Sequence, residues 1–266
     1  MKKILLAVLC AILCLSTFAA CGSDKTDWEY IEEKGKAVIG ITLYEPMNYY
    51  DEKGELTGFE TEFARAVCEK LGVTPEFVVI EWEQKENELK SRNIDLIWNG
   101  LTVTEERREN MAFSTSYVNN QQVIVIKKAN AEKYATLEGM AGASCTAENG
   151  SAGQTAIETN EILSKNKFVA SAAQKDVLLE VLSGTSEIGV VDIVMAQASI
   201  KEGTDYADLM IVEGIDLTDE EYAIGLRLED TEFLAKVNAA IAEMVEDGSL
   251  ADLADKYGLT DVYAFK

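Results

Sequence analysis

The 266-residue chain contains no histidine. Its absence removes Ser-His-Asp and Cys-His catalysis, together with the usual zinc-ligand sets. Cysteine is nearly as scarce. Cys10 and Cys14 fall in an N-terminal apolar run and Cys21 follows it, so only Cys68 and Cys145 remain for a folded domain. Cys68 lies on the apolar side of a predicted helix and Cys145 near a predicted strand end, far apart in the chain. They read as two buried free thiols, not a disulfide. There is no P-loop and no GxGxxG. Neither a metal nor a bound cofactor is expected, and covalent chemistry has no obvious agent. Basic residues are also few, 24 Lys and Arg against 47 Asp and Glu, for a formal charge of −23. Such a surface repels phosphate backbones and anionic lipid, which excludes nucleic acid as a partner. The acids are scattered through periodic segments, as on a solvated globular surface and unlike a disordered tail.

Long hydrophobic runs are missing too, apart from Ile4–Leu15. Lys2 and Lys3 precede that run and Ser16-Thr17-Phe18-Ala19-Ala20 closes it, the three-part layout of a secretory signal peptide over residues 1–20. It is too short to span a bilayer, which needs about 20 residues. The Ala19-Ala20-Cys21 ending, with Gly22-Ser23 after it, resembles a bacterial lipobox, in which Cys21 is lipidated and becomes the mature N-terminus. Phe18 departs from the usual leucine, so ordinary signal cleavage is the alternative.

The rest of the chain alternates strand and helix, which predicts α/β layers around mainly parallel sheet. Ala37–Thr42, Phe77–Ile80, Ile94–Trp98, Gln122–Lys127, Ile188–Val191 and Tyr222–Leu226 read as strands. Helices are predicted over Glu60–Leu71 (closed by Gly72), Gln84–Ser91, Gln174–Leu182, Ile193–Ile200 and Thr231–Glu246, with a last short one holding Leu250, Leu253 and Tyr257. A polar stretch near 128 and an acidic one over 216–221 are candidate crossovers between two lobes of similar size. Two connecting strands there would allow hinge closure over a ligand.

One residue stands out locally. Thr104 reads as a helix N-cap, and Glu105 and Glu106 suit a first turn. Arg107 occupies the same turn, where the positive end of the helix dipole disfavours a cation by roughly 0.3–1 kcal/mol. It is either a solvated surface residue or an anion clamp.

Several motifs, in order, give the chain a family likeness: Gly54-Glu-Leu-Thr-Gly58-Phe59-Glu60, Asn93-Ile-Asp95, Gly100-Leu-Thr-Val-Thr104-Glu-Glu-Arg107, Phe113-Ser114, Ile188-Gly-Val-Val-Asp192, Gly225-Leu-Arg227, Asp247-Gly248-Ser249 and Lys256-Tyr257-Gly258. Together they resemble the extracellular solute-binding proteins (family 3) of polar amino-acid ABC importers, here in lipoprotein form. The resemblance covers essentially the whole mature chain. It implies the two-lobed periplasmic-binding-protein-like fold of type II, with two hinge strands and an amino acid held between the lobes. Residues 21–36 become a tether and lead-in, 37–122 with 219–266 lobe one, and 123–218 lobe two.

Carried onto matching positions, the resemblance makes Arg107 a bidentate partner of the ligand's α-carboxylate. Gly100 offers backbone contacts and Thr102 a hydroxyl to the same end of the ligand. Asp192 holds the α-ammonium, or else caps the helix after it. Ser151 donates to the carboxylate, or else is itself a cap. Tyr44 and Trp82 match pocket aromatics, with core packing as the alternative, and Asn99 either points inward or forms the turn. Glu60 and Glu62 replace aspartates of the family pattern, which touches helix capping, and Ala143–Gly153 carries extra residues before its Gly-Ser turn.

The expected protein is therefore a monomeric binding module, not an enzyme. It is tethered by lipid to the outer face of the cytoplasmic membrane and serves the membrane subunits of an ABC importer. The same fold also resembles secreted dehydratases of prephenate-like acids, for which Glu45, Glu81 and Glu148 are conceivable acids. A sensory ligand domain is a third class, normally with a transmembrane helix and signalling region in the same chain.

Overall fold

The computed structural model describes residues 26–215 and 217–265. The predicted leader over 1–20 and Cys21 lie outside them. No helix among the described residues is long and apolar enough to cross a membrane.

The first half runs α1 (Asp27–Lys34), β1 (Lys36–Ile41), β2 (Tyr49–Tyr50), β3 (Leu56–Thr57), α2 (Phe59–Leu71), β4 (Thr74–Val79), α3 (Lys85–Lys90), β5 (Leu96–Ile97), α4 (Glu105–Arg108) and β6 (Ala112–Phe113). Then β7 (Val118–Lys127) leads to β8 (Ser144–Glu148), α5 (Ala152–Thr159), β9 (Lys167–Ser171), α6 (Gln174–Ser183), β10 (Ile188–Asp192), α7 (Ile193–Ser199) and β11 (Leu209–Ile211). The chain closes with β12 (Thr218–Tyr222), β13 (Gly225–Leu226), α8 (Thr231–Glu246) and α9 (Ser249–Lys256).

Two large sheets result, each with helices against it, beside a two-stranded antiparallel ribbon of β2 and β3. One has the order β4-β1-β5-β13-β6 and the other β11-β7-β10-β8-β9, with β12 on the early half of β7. The predicted parallel character holds only in part. β1 runs parallel to β4 and β5, and β8 parallel to β9 and β10, but β13 and β7 each enter antiparallel. β7 carries the chain from the first sheet to the second, and β13 is the first strand after its return along β12.

The lobes are joined where β7 and β12 pair antiparallel, from Val118↔Tyr222 to Gln122↔Thr218. The segment expected to be an acidic connection is thus a strand. Its exposure alternates, with Asp219 and Glu221 outward and Thr218, Glu220 and Tyr222 inward, the period-two signature of a pleated backbone. The polar residues near 128 lie past the crossing, in a short turn on the far side.

Local sequence explains the elements that carry the site. α2 buries Phe59, Phe63 and Val67 along one face and stops at Gly72, which takes the left-handed conformation (φ 72°). Phe63 packs edge-on against Trp98 at 4.9 Å between ring centroids and against Tyr117 at 5.3 Å, which anchors the loop that follows β5. The lead-in is also structured. α1 has a capping box between Thr26 and Glu29, and it buries Trp28 and Ile31. Cys68 and Cys145 are both free and buried, and burial pushes the Cys68 thiol up to about 12.

Candidate functional site

Arg107 sits on α4, a single turn whose N-cap is Thr104, with the Thr104 hydroxyl accepting from the Arg107 amide at 3.1 Å. One turn carries little macrodipole, so the charge conflict expected from sequence largely lapses. Burial decides the matter. Arg107 is 7% exposed, and its guanidinium donates to Thr102 O at 2.8 Å and to Gly150 O of the opposite lobe at 3.4 Å. Burial lowers its pKa, while the charges of Glu220, Glu86 and Asp192 oppose that shift. No carboxylate among the described residues lies within ion-pair distance of it.

Asp192 ends β10 on the other lobe and is 3% exposed. It precedes α7, yet its carboxylate makes no capping hydrogen bond. Instead it accepts from Asn120 Nδ2 at 2.9 Å, from Gln122 Nε2 at 2.5 Å and from Gln174 Nε2. Burial raises its pKa to about 6, with the Glu220 charge adding to the rise and the three amides resisting it. Glu220 ties the two hinge strands to the loop that carries Thr102. Its Oε2 accepts from Thr102 Oγ1 at 3.0 Å and from Asn120 and Gln122 at 2.9 Å each.

The remaining predicted residues divide. Thr102, Arg107, Gly150 and Ser151 line one cavity of about 530 Å³ between the lobes, with Lys85 and Glu220. The Thr102 hydroxyl is already committed to Glu220. Ser151 caps α5, accepting from the Gln154 amide at 3.1 Å. Gly100 has φ 51°, and a Cβ there would lie 1.9 Å from the Tyr44 hydroxyl, so only glycine fits. The Gly100 N–H donates to both oxygens of Glu60, at 2.8 and 3.0 Å, and is not free for a ligand.

Tyr44 is buried beside Gly100, and its hydroxyl and that of Tyr222 have no hydrogen-bond partner of good geometry. Trp82 packs in a core cluster with Val38, Leu89 and Ile97, with Lys85 Nζ 4.8 Å from the centre of its ring. Asn99 is spent inside lobe one, accepting from Thr42 N at 2.7 Å and donating to Thr42 Oγ1 at 2.6 Å.

Glu60 does not cap α2. Besides the Gly100 amide, it takes hydrogen bonds from Tyr117 Oη and from Asn48 Nδ2 at 3.1 Å, and burial raises it to about 7. It fixes the loop that leads to Thr102.

Sequence reading missed Lys85, Asn120, Gln122, Gln174 and Glu220. Lys85 is buried, donating to Gly150 O at 3.0 Å across the cleft, and burial together with the Arg107 charge lowers it to about 8. Within the run Glu83-Gln84-Lys85-Glu86 nothing distinguishes it. Asn120 and Gln122 did carry a signal: amides at alternate positions of an apolar strand share a face. Of the acids conceivable for a dehydratase, Glu45 and Glu81 are exposed and Glu148 is buried.

Comparisons with known proteins fit this geometry. The L-cystine-binding protein TcyJ of Escherichia coli (strain K12) is 27% identical over 262 residues, covering 98% of this chain and 97% of the relative. The arginine-binding extracellular protein ArtP of Bacillus subtilis (strain 168) is 28% identical, covering 97% of this chain and 98% of its own. The crystal structure of an ABC uptake transporter substrate-binding protein from Streptococcus pneumoniae with bound histidine superposes with a TM-score of 0.83 at 31% identity, over 91% of this chain and all of that one. Residues 37–260 match the bacterial extracellular solute-binding proteins, family 3. The two-lobed chain belongs to that family.

Proposed function

We propose that this protein binds a polar L-amino acid between its lobes and delivers it to the membrane subunits of an ABC importer. One observation carries the reading. Arg107, on α4, and Asp192, at the end of β10, are of opposite charge and lie in different lobes, each buried and each held by neutral dipoles. An α-carboxylate at Arg107 and an α-ammonium at Asp192 supply the counter-charges both lack. Placing ligands beyond the carboxyl ends of strands is the general habit of α/β sheets. Thr102 and Ser151 line the cleft beside Arg107, Gly100, held by Glu60, positions the loop that carries Thr102, and Tyr44, Trp82 and Asn99 are buried within lobe one. Lobe one is 37–122 with 219–266 and lobe two 123–218, so closure turns on β7 and β12. A leader over 1–20 and lipid on Cys21 would hold the protein, as a monomer, at the outer face of the membrane. Residues 21–36 serve as tether and lead-in.

A thermal-shift screen of L-amino acids tests the reading, because a ligand at 100 times its Kd stabilises by about 2.7 kcal/mol. No shift with any amino acid would sink it. Cys21→Ser is expected to move the protein into the soluble fraction, and persistent membrane association would remove the anchor.

The dehydratase reading keeps one observation in its favour. Glu148 is buried, and its carboxyl is raised to about 8, chiefly by burial, so it holds a proton at neutral pH. Phenylpyruvate formed from prephenate would establish that reading, and inert prephenate would dismiss it.

A further inference from the structure

Glu148 ends β8 on the same face as Thr146, opposite the core-facing Cys145 and Ala147. It lies two and three residues before Gly150 and Ser151, which line the cavity between the lobes, and the charges of Asp192 on its own lobe and Lys85 on the other act on it. The backbone N–H of Gln174, at the start of α6, opposes the rise of its pKa. Glu148 Oε1 has no partner, although the residue is only 2% exposed. A buried acceptor left open is costly, and a donor brought by a ligand can close it.

We propose that Glu148 is the specificity residue of the cleft, its open oxygen taking a positively charged group at the end of the ligand's side chain. The protein then prefers a cationic L-amino acid. This rests on the amino-acid-binding reading above.

Charge favours a cation over a neutral donor. With Glu148 protonated, Asp192 and Glu220 stand against Arg107 and Lys85 in the cleft, and a zwitterion adds no net charge. Lys85 does not compensate Glu148: its ammonium is engaged by Trp82 O and Gly150 O, and among the described residues it forms no ion pair. A guanidinium or ammonium against Oε1 satisfies the open acceptor with a charge-assisted hydrogen bond, its charge matched by the carboxylate that forms as Glu148 loses its proton. In the empty cleft, burial and the Asp192 and Asp176 charges keep Glu148 protonated near neutral pH, against the pull of Lys85. A cation arriving there expels that proton.

The test compares L-arginine with L-citrulline, which has nearly the same shape without the charge. By titration calorimetry the wild type is expected to bind arginine at least tenfold more tightly than citrulline, L-glutamine or L-cystine. Glu148→Gln should bring arginine and citrulline within about threefold of each other. At pH 7, repeating the titrations in buffers of different ionisation enthalpy should show more proton release with arginine than with citrulline. Equal or tighter binding of citrulline, glutamine or cystine by the wild type overturns the proposal. So does an E148Q variant that keeps the wild-type ratio, or equal proton release. Those outcomes leave amino-acid binding standing, whereas binding of no amino acid at all defeats both readings.

Discussion

Two buried groups of charge occupy this molecule, and they are built on opposite plans. In the body of lobe one, Arg227 lies 2.8 Å from Asp230 and 3.6 Å from Asp95, whose other oxygen takes Lys34 at 2.7 Å. Cations meet anions directly there, and the Arg227 guanidinium also donates to the carbonyls of Ile94 and Leu89. In the cleft, Arg107 meets only carbonyls and Asp192 chiefly side-chain amides. Internally paired charge serves the fold. Charge held by dipoles alone keeps its electrostatic demand, and a zwitterion can meet it.

The largest expected effect separates the two groups. Arg227→Met should cost about 3–5 kcal/mol of stability, because it leaves Asp95 and Asp230 buried with fewer partners. Arg107→Met should leave the ligand-free protein as stable or more so, while removing the about 2–5 kcal/mol of binding typical of a buried charge pair. Urea denaturation and calorimetry read both quantities. Equal losses of stability in the two variants would erase the distinction.

Gly100→Ala should cost about 1–3 kcal/mol, through overpacking against Tyr44 and a positive φ. It should also weaken binding, since the Glu60-held loop leading to Thr102 must shift. A variant with wild-type melting and affinity would show the loop to be slack.

The contrast also has a pH signature. Asp192 (about 6), Glu60 (about 7) and Glu148 (about 8) all lie above the ordinary carboxylate range, with burial the first cause of each. Their folded pKa values exceed the unfolded ones. Their contribution to stability is therefore fully present below about pH 4 and is lost as pH rises through about 6 to 8. The unliganded protein should lose stability between pH 5 and about 7.5, above which the depressed Lys85 works the other way, and Glu148→Gln should flatten the upper part of that slope. An unchanged slope in E148Q would mean that its carboxyl titrates normally.

The smallest effect concerns Ser151. Ser151→Ala should cost about 1 kcal/mol by removing the α5 cap, and Ser151→Gly only a few tenths. Should both weaken ligand binding equally, the hydroxyl also donates to the ligand. Should glycine retain wild-type affinity, capping is its whole role.

Much of this was legible in the sequence where the cause is local. The apolar spacing of α2 with its Gly72 stop, the Thr104 cap and the full span of α8 all appear as residues a few positions apart dictate. The strand β12 was misread because acidic composition hid its alternation. Asp192 looked like a cap, because a short acid between strand and helix usually is one. What turned it away is Gln174, 18 positions earlier, with Asn120 and Gln122, 72 and 70 positions earlier.

By itself the sequence determined the alternating α/β plan, the dearth of catalytic side chains and the candidacy of Arg107, since periodicity, composition and capping act over a few residues. Only the tertiary structure decided which charges are compensated. It drew Lys85 out of an ordinary charged run, committed the Thr102 hydroxyl and the Gly100 amide to carboxylates, and left one oxygen of Glu148 open. Burial and pairing depend on both lobes meeting across the hinge, and no local pattern encodes that.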